Sequence, residues 1–159
     1  YHLYGAILMT IERTLVLIKP DGVQRGLSGE IISRFEKTGL KIIAIKLMSI
    51  SEDKASQHYA EHTGKPFYGG LVEFITSSPV VAMAFEGTDA ISLVRKQMGS
   101  TNPNEATPGS IRGDYATDIG RNLVHGSATS EDAERELKLF FSSEELLSYD
   151  RSYENWVTE

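Results

Sequence analysis

The chain has 159 residues, of which 24% are charged and 40% are hydrophobic, and these values are ordinary for one compact globular domain. It contains no cysteine, which excludes disulfides, thiolate metal sites and thiol nucleophiles and favours a reducing, cytoplasmic location. A formal net charge of −6 without an extended basic run argues against specific nucleic-acid binding, and no apolar run approaches the roughly 20 residues of a membrane span.

The first residues of the chain do not resemble a targeting signal. Residues 1–8 lack both a positively charged start and a convincing cleavage site. Met9, followed by TIERTLVLIKPDG, is more typical of a native start. We therefore expect residues 1–8 to be an added leader and residues 9–159 to form a single domain.

The next segment predicts a strand, a helix and a second strand. The apolar run 14–18 predicts a buried strand that stops at KPDG, where Pro20 removes a hydrogen-bond donor and a turn is favoured. Ser28 is the predicted N-cap of a helix that ends at Gly39. Residues 40–50 predict a long strand.

Helical patterns surround a third predicted strand in the middle of the chain. Ser51 is the predicted N-cap of a helix that ends at Gly64, and residues 66–78 predict another helix. Residues 80–87 predict the strand, and residues 88–99 predict the helix that follows it.

The last third of the chain begins with residues 100–121, which are rich in Pro, Gly, Asn and Thr and have no sustained period. An irregular stretch of this length in a compact domain is typical of a functional loop or of disorder. Residues 122–126 predict a fourth, short strand, and the last helix is expected to start at Thr129 or Ser130. Its apolar stripe consists of Ala133, Leu137, Phe140 and Phe141.

Four strands interleaved with helices fit two sheet architectures. The element order favours an α/β chain of the α+β type, with a ferredoxin-like βαββαβ sheet of four antiparallel strands and helices on one face. A small flavodoxin-like parallel sheet is the second candidate. The pattern alone does not separate the two.

His125 taken alone is more often structural than catalytic, but its surroundings at a predicted strand end in NLVHGS make it the candidate nucleophile. A histidine near neutrality accepts a phosphoryl group well, since its unprotonated nitrogen attacks without losing a proton. Gly126 permits close approach of a ligand, and Asn122 and Ser127 add neutral hydrogen-bonding groups. Glu136 lies beside the apolar stripe of the last helix, where it is either a half-exposed surface acid or a group that orients the imidazole.

Three cations and a hydroxyl group can together enclose a polyphosphate. Lys19 ends the first strand, Arg95 lies on a helix, and Arg112 lies in the long loop, where Thr101 adds the hydroxyl. Each cation alone is typical of a solvated surface charge, but arginine binds phosphate through a bidentate fork and lysine through a point charge. Neither G-x-x-x-x-G-K-[ST] nor G-x-G-x-x-G occurs in the chain.

The segment HYAEH competes as a metal motif. It matches the H-x-x-E-H pattern of zinc hydrolases, with His58 and His62 as potential ligands on one helix. The pattern is short and arises often by chance, and the region offers no prominent third protein ligand. A zinc hydrolase is therefore the weaker hypothesis.

Several separated segments resemble the nucleoside diphosphate kinase family in the family's own order. They are TLVLIKPDGVQRG, HYAEHTGKPFYGGLVEFITSSPVVAMAFEG, GSTNPNEATPGSIRGDY and GRNLVHGS, and the similarity runs from about Met9 to Glu159. The resemblance implies a ping-pong reaction in which a nucleoside triphosphate gives its γ-phosphoryl group to a histidine, which passes it to a nucleoside diphosphate. It implies that His125 is that histidine and acts through Nδ1.

The resemblance also implies roles for the residues around the nucleophile. Ser127 and Glu136 would support His125, Tyr59 would lie beside it, and Lys19 would contact the transferring phosphoryl and the ribose. The base would stack on Phe67 and pack against Leu71 and Ile119. The terminal phosphates would be held by Arg95, Thr101 and Arg112, and the sugar by Asn122. Magnesium would arrive on the nucleotide, held by phosphate oxygens and water without a protein metal ligand.

One residue departs from the family pattern. The family usually reads N-x-x-H-G-S-D, and Ala128 replaces the final aspartate here. The missing carboxylate is expected to weaken magnesium engagement and not the nucleophile. A family member that binds nucleotide in a regulatory role, with little catalysis, is the remaining alternative.

The C-terminal segment, residues 142–159, predicts a homo-oligomer. It continues past the last core helix and carries many apolar residues, which would be buried favourably in an interface. By resemblance this tail marks hexameric family members, in which residues 100–121 would meet symmetry mates at a three-fold axis. The alternative is a tail that folds back on its own chain.

Overall fold

The structure, a computed structural model, describes residues 10–159, so the leader expected at residues 1–8 lies outside the described residues. The strands are β1 (Ile11–Ile18), β2 (Lys41–Met48), β3 (Val80–Thr88) and β4 (Val124–Gly126). The α-helices are α1 (Pro20–Gln24), α2 (Ser28–Lys37), α3 (Glu52–His58), α4 (Tyr68–Thr76), α5 (Ala90–Met98), α6 (Ile111–Tyr115) and α7 (Ser130–Phe140). Between residues 10 and 159, no helix has the length and apolar character needed to cross a bilayer.

The four strands form one antiparallel sheet in the order β2-β3-β1-β4. Leu17 in β1 lies opposite Ala82 of β3 on one side and His125 of β4 on the other. This order and direction confirm the ferredoxin-like prediction and exclude the parallel flavodoxin-like arrangement. Because β1 is an inner strand, Lys19, which follows it, lies between neighbouring strands at one end of the sheet.

Helices cover both faces of the sheet, so the expectation that they lie on one face was wrong. Val16 and Ile18 point to a core shared with α2 and α5. Leu15 and Leu17 point to a second core shared with α3, α4 and α7. A strand with a continuous apolar run is buried on both sides, and TLVLI in β1 is such a run.

Local sequence signals predicted some of the helix starts correctly and others incorrectly. The side chains of Ser51 and Thr129 accept hydrogen bonds from the third residue beyond them. Ser51 thus caps α3 as predicted, and Thr129 caps α7, whose start was expected at Thr129 or Ser130. Ser28 is instead the first residue of α2, and no side chain caps that helix. KPDG forms the start of α1 and not a turn, because proline suits the first helical position, where no N–H is needed.

The irregular segment 100–121 contains one short helix that the pattern did not predict. Ser110 caps α6 by accepting a hydrogen bond from the backbone of Gly113. The helix is only five residues long and therefore shows no apolar period. It positions Arg112 on the side of the loop that faces β4.

The C-terminal tail follows the β2 side of its own domain. The backbone N–H of Leu147 donates to the carbonyl of Ile43 at 2.9 Å, and the hydroxyl of Tyr149 donates to the carbonyl of Ile42. Arg151 bonds the carbonyl of Gly39. The tail thus folds back on its own chain along this stretch, although Trp156 remains 84% exposed.

Candidate active site

The turn after β1 and the turn before β4 are joined by their backbones. The N–H of Lys19 donates to the carbonyl of Leu123 at 2.8 Å, and the N–H of Leu123 donates to the Asp21 carboxylate at 3.0 Å. Leu123 has a φ of +73°, a left-handed conformation that is uncommon for a residue with a side chain. These contacts place Lys19 beside the segment that carries Asn122 and His125.

His125 lies in β4, and its ring meets a carboxylate from α7. Its Nε2 is hydrogen-bonded to Oε1 of Glu136, which is only 2% exposed. Glu136 is therefore buried and not the half-exposed surface acid that is the ordinary case for its position. Because the carboxylate is an acceptor, Nε2 carries the proton and Nδ1 keeps the lone pair.

A second imidazole packs against the first. The ring of His58 lies edge-on to that of His125, with centroids 4.6 Å apart, and is enclosed by Tyr59 and Phe140. Burial, followed by the charge of His125, lowers the pKa of His58 to about 2. His58 is therefore neutral at physiological pH and does not compete with His125 for the charge of Glu136.

Tyr59 lies next to the nucleophile, as the resemblance implied. Its ring packs against His58 at 4.7 Å, and it lines the small chamber that also borders His125. Burial and the negative charge of Glu136 raise the pKa of Tyr59 to about 12, so its hydroxyl stays protonated.

Lys19 and Asn122 are directly bonded. The ammonium of Lys19 donates to Oδ1 of Asn122 at 2.5 Å, and the Asn122 amide donates to the backbone carbonyl of Thr101 at 2.9 Å. Burial, with a further contribution from Arg112, lowers the pKa of Lys19 to about 8. Asn122 thus fixes the lysine and ties it to the long loop.

The two predicted phosphate-binding arginines have different surroundings. Arg112 is only 4% exposed, and its guanidinium donates to the carbonyls of Gly99, Asn122 and Val124. Arg95 is exposed and makes one bond, to the carbonyl of Gly126 at 3.2 Å. Burial and the charge of Arg95 lower the pKa of Arg112 to about 10. Neither arginine forms a salt bridge within residues 10–159, so both charges are available to an anion.

The predicted base-contacting residues are exposed or partly exposed. Phe67 is 51% exposed at the start of α4, Ile119 is 59% exposed in the loop before β4, and Leu71 is partly buried. The guanidinium of Arg121 lies 4.1 Å from the centroid of the Phe74 ring and holds this loop against α4. An exposed aromatic ring such as that of Phe67 suits a planar base that stacks without edge contacts.

Two residues near His125 have structural roles that the sequence did not indicate. The Ser127 hydroxyl is buried and accepts from the N–H of Leu15, so it anchors β4 to β1 instead of contacting His125. A Cβ on Gly126 would lie 2.7 Å from the Met98 sulfur, so this glycine admits α5 and not a ligand.

The pair His58 and His62 does not form the predicted zinc motif. The α-helix ends at His58, and His62 lies in a separate 3₁₀ turn, Ala60–His62. His62 contacts Lys65 and Glu61 at the surface, whereas His58 is buried against His125. The helical i, i+4 geometry that the motif requires is therefore absent.

Sequence reasoning missed three residues around the site. Asp21 was assigned only to a turn, yet its carboxylate holds Leu123. Arg121 carries a charge close enough to Lys19 to lower the lysine pKa further. His58 was considered only as a zinc ligand. Each of the three lies close in sequence to a predicted site residue, but the sequence did not indicate whether its side chain points toward the site.

Comparisons with known proteins agree with this geometry. The family model described as nucleoside diphosphate kinase matches residues 12–146. The nucleoside diphosphate kinase of Carboxydothermus hydrogenoformans is 58% identical over 149 residues, which cover 94% of this chain and 100% of the relative. The chain belongs to the nucleoside diphosphate kinase family. The Thermus thermophilus family member is 62% identical over 137 residues, covering 86% of this chain and 100% of its own.

A solved family structure shares the fold over nearly the whole chain. A halophilic nucleoside diphosphate kinase from Halobacterium salinarum, in complex with CDP, matches with a TM-score of 0.92 and 53% identity, covering 94% of this chain and 100% of that chain. The chain is therefore a nucleoside diphosphate kinase-type transferase that binds nucleotides and carries phosphoryl groups between them. Neither a zinc hydrolase nor a purely regulatory nucleotide binder is favoured.

Proposed function

We propose that Nδ1 of His125 carries the phosphoryl group between a triphosphate and a diphosphate. The observation that supports this most is the bond between His125 Nε2 and the buried carboxylate of Glu136. It leaves the lone pair on Nδ1, and the carboxylate stabilises the positive charge that the ring acquires as the phosphoryl group arrives. In the first half-reaction the Nδ1–P bond forms, the bond from phosphorus to the bridging oxygen breaks, and the diphosphate leaves.

The second half-reaction reverses these bonds with a different diphosphate. An oxygen of its terminal phosphate attacks phosphorus, the N–P bond breaks, and the electron pair returns to Nδ1. The same binding residues serve both nucleotides, because the diphosphate that leaves and the diphosphate that accepts differ only in base and sugar. This is a ping-pong mechanism with one site.

Phosphoryl transfer of this kind depends on positioning and charge more than on acid–base chemistry. Arg112 is a buried cation, Lys19 is a partly buried one and Arg95 is an exposed one, and none of them forms a salt bridge within the described residues. We assign the terminal phosphates to Arg95, Arg112 and the hydroxyl of Thr101. Lys19 binds the transferring group, and Asn122 orients Lys19 and contacts the sugar.

The base is assigned to Phe67, Leu71 and Ile119. These side chains offer apolar surface and no hydrogen-bonding groups that would select one base. Tyr59 is assigned to the wall beside His125. Ser127 is assigned an indirect role, since it fixes the strand that carries the nucleophile.

The donor groups at the phosphate-binding residues suit a metal that arrives on its substrate. The side chains assigned to phosphate are cations and a hydroxyl, and Ala128 supplies no carboxylate. Magnesium would therefore be held by phosphate oxygens and water. There it would neutralise phosphate charge, while the chain's own cations orient the oxygens.

We further propose a homo-oligomer, with a hexamer as the expected form, and a cytoplasmic location. The exposed apolar side chains of the tail, Leu147, Tyr149, Tyr153 and Trp156, support an interface. The cysteine-free composition supports a reducing compartment.

Labelled phosphate from ATP tests the nucleophile directly. The wild type should become labelled through an acid-labile, alkali-stable bond and should lose the label to an added diphosphate. His125→Ala should accept no label, and peptide mapping should place the wild-type label at residue 125. Labelling of His125→Ala would show that another residue is the acceptor. Nucleotide binding without any labelling would favour the regulatory alternative.

A further inference from the structure

Three potential metal ligands, one of which is His125 itself, lie close together in the site. One ligand atom each from His58, His125 and Glu136 lie within 4.8 Å of one another. Within residues 10–159 this is the only group of three or more histidine and acidic side chains with such spacing. Two imidazoles and a carboxylate are a ligand set typical of zinc.

His58 distinguishes this group from an ordinary cluster. It is 5% exposed, and neither of its ring nitrogens has a hydrogen-bond partner within the described residues. A buried polar atom without a partner is unfavourable, and most such atoms in proteins are satisfied. Because His58 is a neutral imidazole, it can bind a metal without first losing a proton.

The space beside the three side chains is large enough for an ion. A chamber of about 90 Å³ borders all three, and none of the phosphate-binding cations lines it. Ala128 forms part of its wall, where the family's usual aspartate would take up space. Arg135 also lines the chamber, but Asp132, at 3.3 Å, balances its charge.

The three ligand atoms are near one another, but side-chain shifts are needed to reach the spacing that zinc requires. A tetrahedral ion with bonds of about 2.0–2.1 Å separates its ligand atoms by about 3.3 Å. Nδ1 of His58 lies 3.9 Å from Oε1 of Glu136. Oε1 of Glu136, now hydrogen-bonded to Nε2 of His125, would have to move away from that nitrogen and toward His58 to admit the ion. Shifts of this kind, on the order of an ångström, are within ordinary side-chain motion.

We propose that His58, His125 and Glu136 form an inhibitory zinc site, in which water from the chamber completes the coordination. A neutral imidazole has one lone pair, so zinc on Nε2 of His125 transfers that nitrogen's proton to Nδ1, and no proton leaves the ring. Nδ1 then has no lone pair with which to attack phosphorus. Zinc also takes the carboxylate that otherwise stabilises the ring. The effect on catalysis rests on the proposed role of His125, whereas binding of the ion requires only the three side chains.

Metal binding can be measured without nucleotide. Metal-free wild-type protein should bind one zinc ion per chain in calorimetry, and Co²⁺ should give the visible absorption of a tetrahedral site. His58→Phe keeps a ring between Tyr59 and Phe140 but removes the ligand nitrogen, and it should bind zinc at least tenfold more weakly. His62→Gln, which changes another histidine that lines the chamber, should bind as the wild type does.

Three outcomes decide the proposal. Equal zinc affinity in wild type and His58→Phe would overturn the proposed site. A Co²⁺ spectrum without tetrahedral bands would overturn it as well. If His58→Phe does not fold, His58→Gln is used for the same comparison. Labelling by ATP at fixed free zinc should fall in wild type and less in His58→Phe, and unchanged labelling would overturn the inhibition. A wild type that takes no label even without zinc would refute the nucleophile assignment, and the binding isotherms would then decide the metal site alone.

Discussion

The buried carboxylate of Glu136 holds Nε2 of His125, so the strand that carries the nucleophile and the helix that orients it meet at a single hydrogen bond. Glu136→Gln keeps an acceptor oxygen but removes the charge. A charge-assisted hydrogen bond contributes about 1.5–3 kcal/mol, so phosphorylation should slow by roughly 10- to 150-fold. Rapid-quench labelling measures this rate. Glu134→Gln alters an exposed acid on the same helix and is the control; a Glu136 variant as fast as that control would contradict the role.

Substitution of Arg95 should impair catalysis alone, whereas substitution of Arg112 should impair both catalysis and stability. Arg95→Ala removes an exposed cation with one backbone bond, so kcat/KM should fall by about tenfold or more while the melting temperature changes little. Arg112→Ala removes three bonds to backbone carbonyls as well as the charge, so both quantities should fall. Lys96→Ala, an exposed cation on the Arg95 helix, is the control. An Arg112 variant with kinetics within about twofold of wild type would remove that residue from the site.

Lys19 should make both stability and activity depend on pH near 8. Its folded pKa of about 8 lies below the ordinary value of 10.5, so a buried charge destabilises the fold below pH 8. Between pH 8 and 10.5 the folded state has lost this proton and the unfolded state has not, so its contribution to stability rises with pH. Lys19→Met should therefore melt at a higher temperature than wild type at pH 7 and transfer phosphate far more slowly. In wild type, kcat/KM should decline above pH 8. A Lys19→Met variant that is less stable than wild type at pH 7 would show that the Lys19 charge does not destabilise the fold.

Ala128 should affect the use of magnesium. Ala128→Asp restores the family's usual carboxylate beside His125 and should lower the magnesium concentration that gives half-maximal rate. The measurement is a magnesium titration at fixed nucleotide, and Ala128→Asn, similar in size but uncharged, is the control. If the aspartate and asparagine variants titrate alike, the carboxylate charge is irrelevant here.

The tail should contribute to assembly. Deletion of the residues after Tyr149 removes the bond between Arg151 and Gly39 and the exposed Trp156, and it should lower the oligomer mass and the melting temperature together. Light scattering at micromolar concentration measures the mass. A full-length mass near 17.6 kDa would refute an oligomer, and a tetrameric mass would refute the hexamer.

The residues proposed to do the chemistry could be selected from the sequence because they stand in short contiguous motifs. NLVHGS and KPDG placed His125 and Lys19 at strand ends, and the alternation of strands with helices narrowed the fold to two candidate sheets, of which the strand pairing selected the antiparallel ferredoxin-like one. These features depend on local propensity and on separated motifs that occur in one order. The N-cap at Ser51 was likewise visible, since a capping side chain acts within three residues.

The surroundings of those residues depended on contacts between distant segments. Glu136 proved to be buried because α7 packs its boundary residue toward β4, and the helix periodicity alone leaves such a residue at the edge. Arg112 proved to be buried where the backbone carbonyl of Gly99 and two carbonyls from the segment at the start of β4 converge on it. His58 came to lie against His125 only because α3 and α7 cover the same face of the sheet. The sequence by itself indicated which groups are candidates for the reaction, and the packing of helices on both faces of the sheet decided which of them are buried, neutral or held in place.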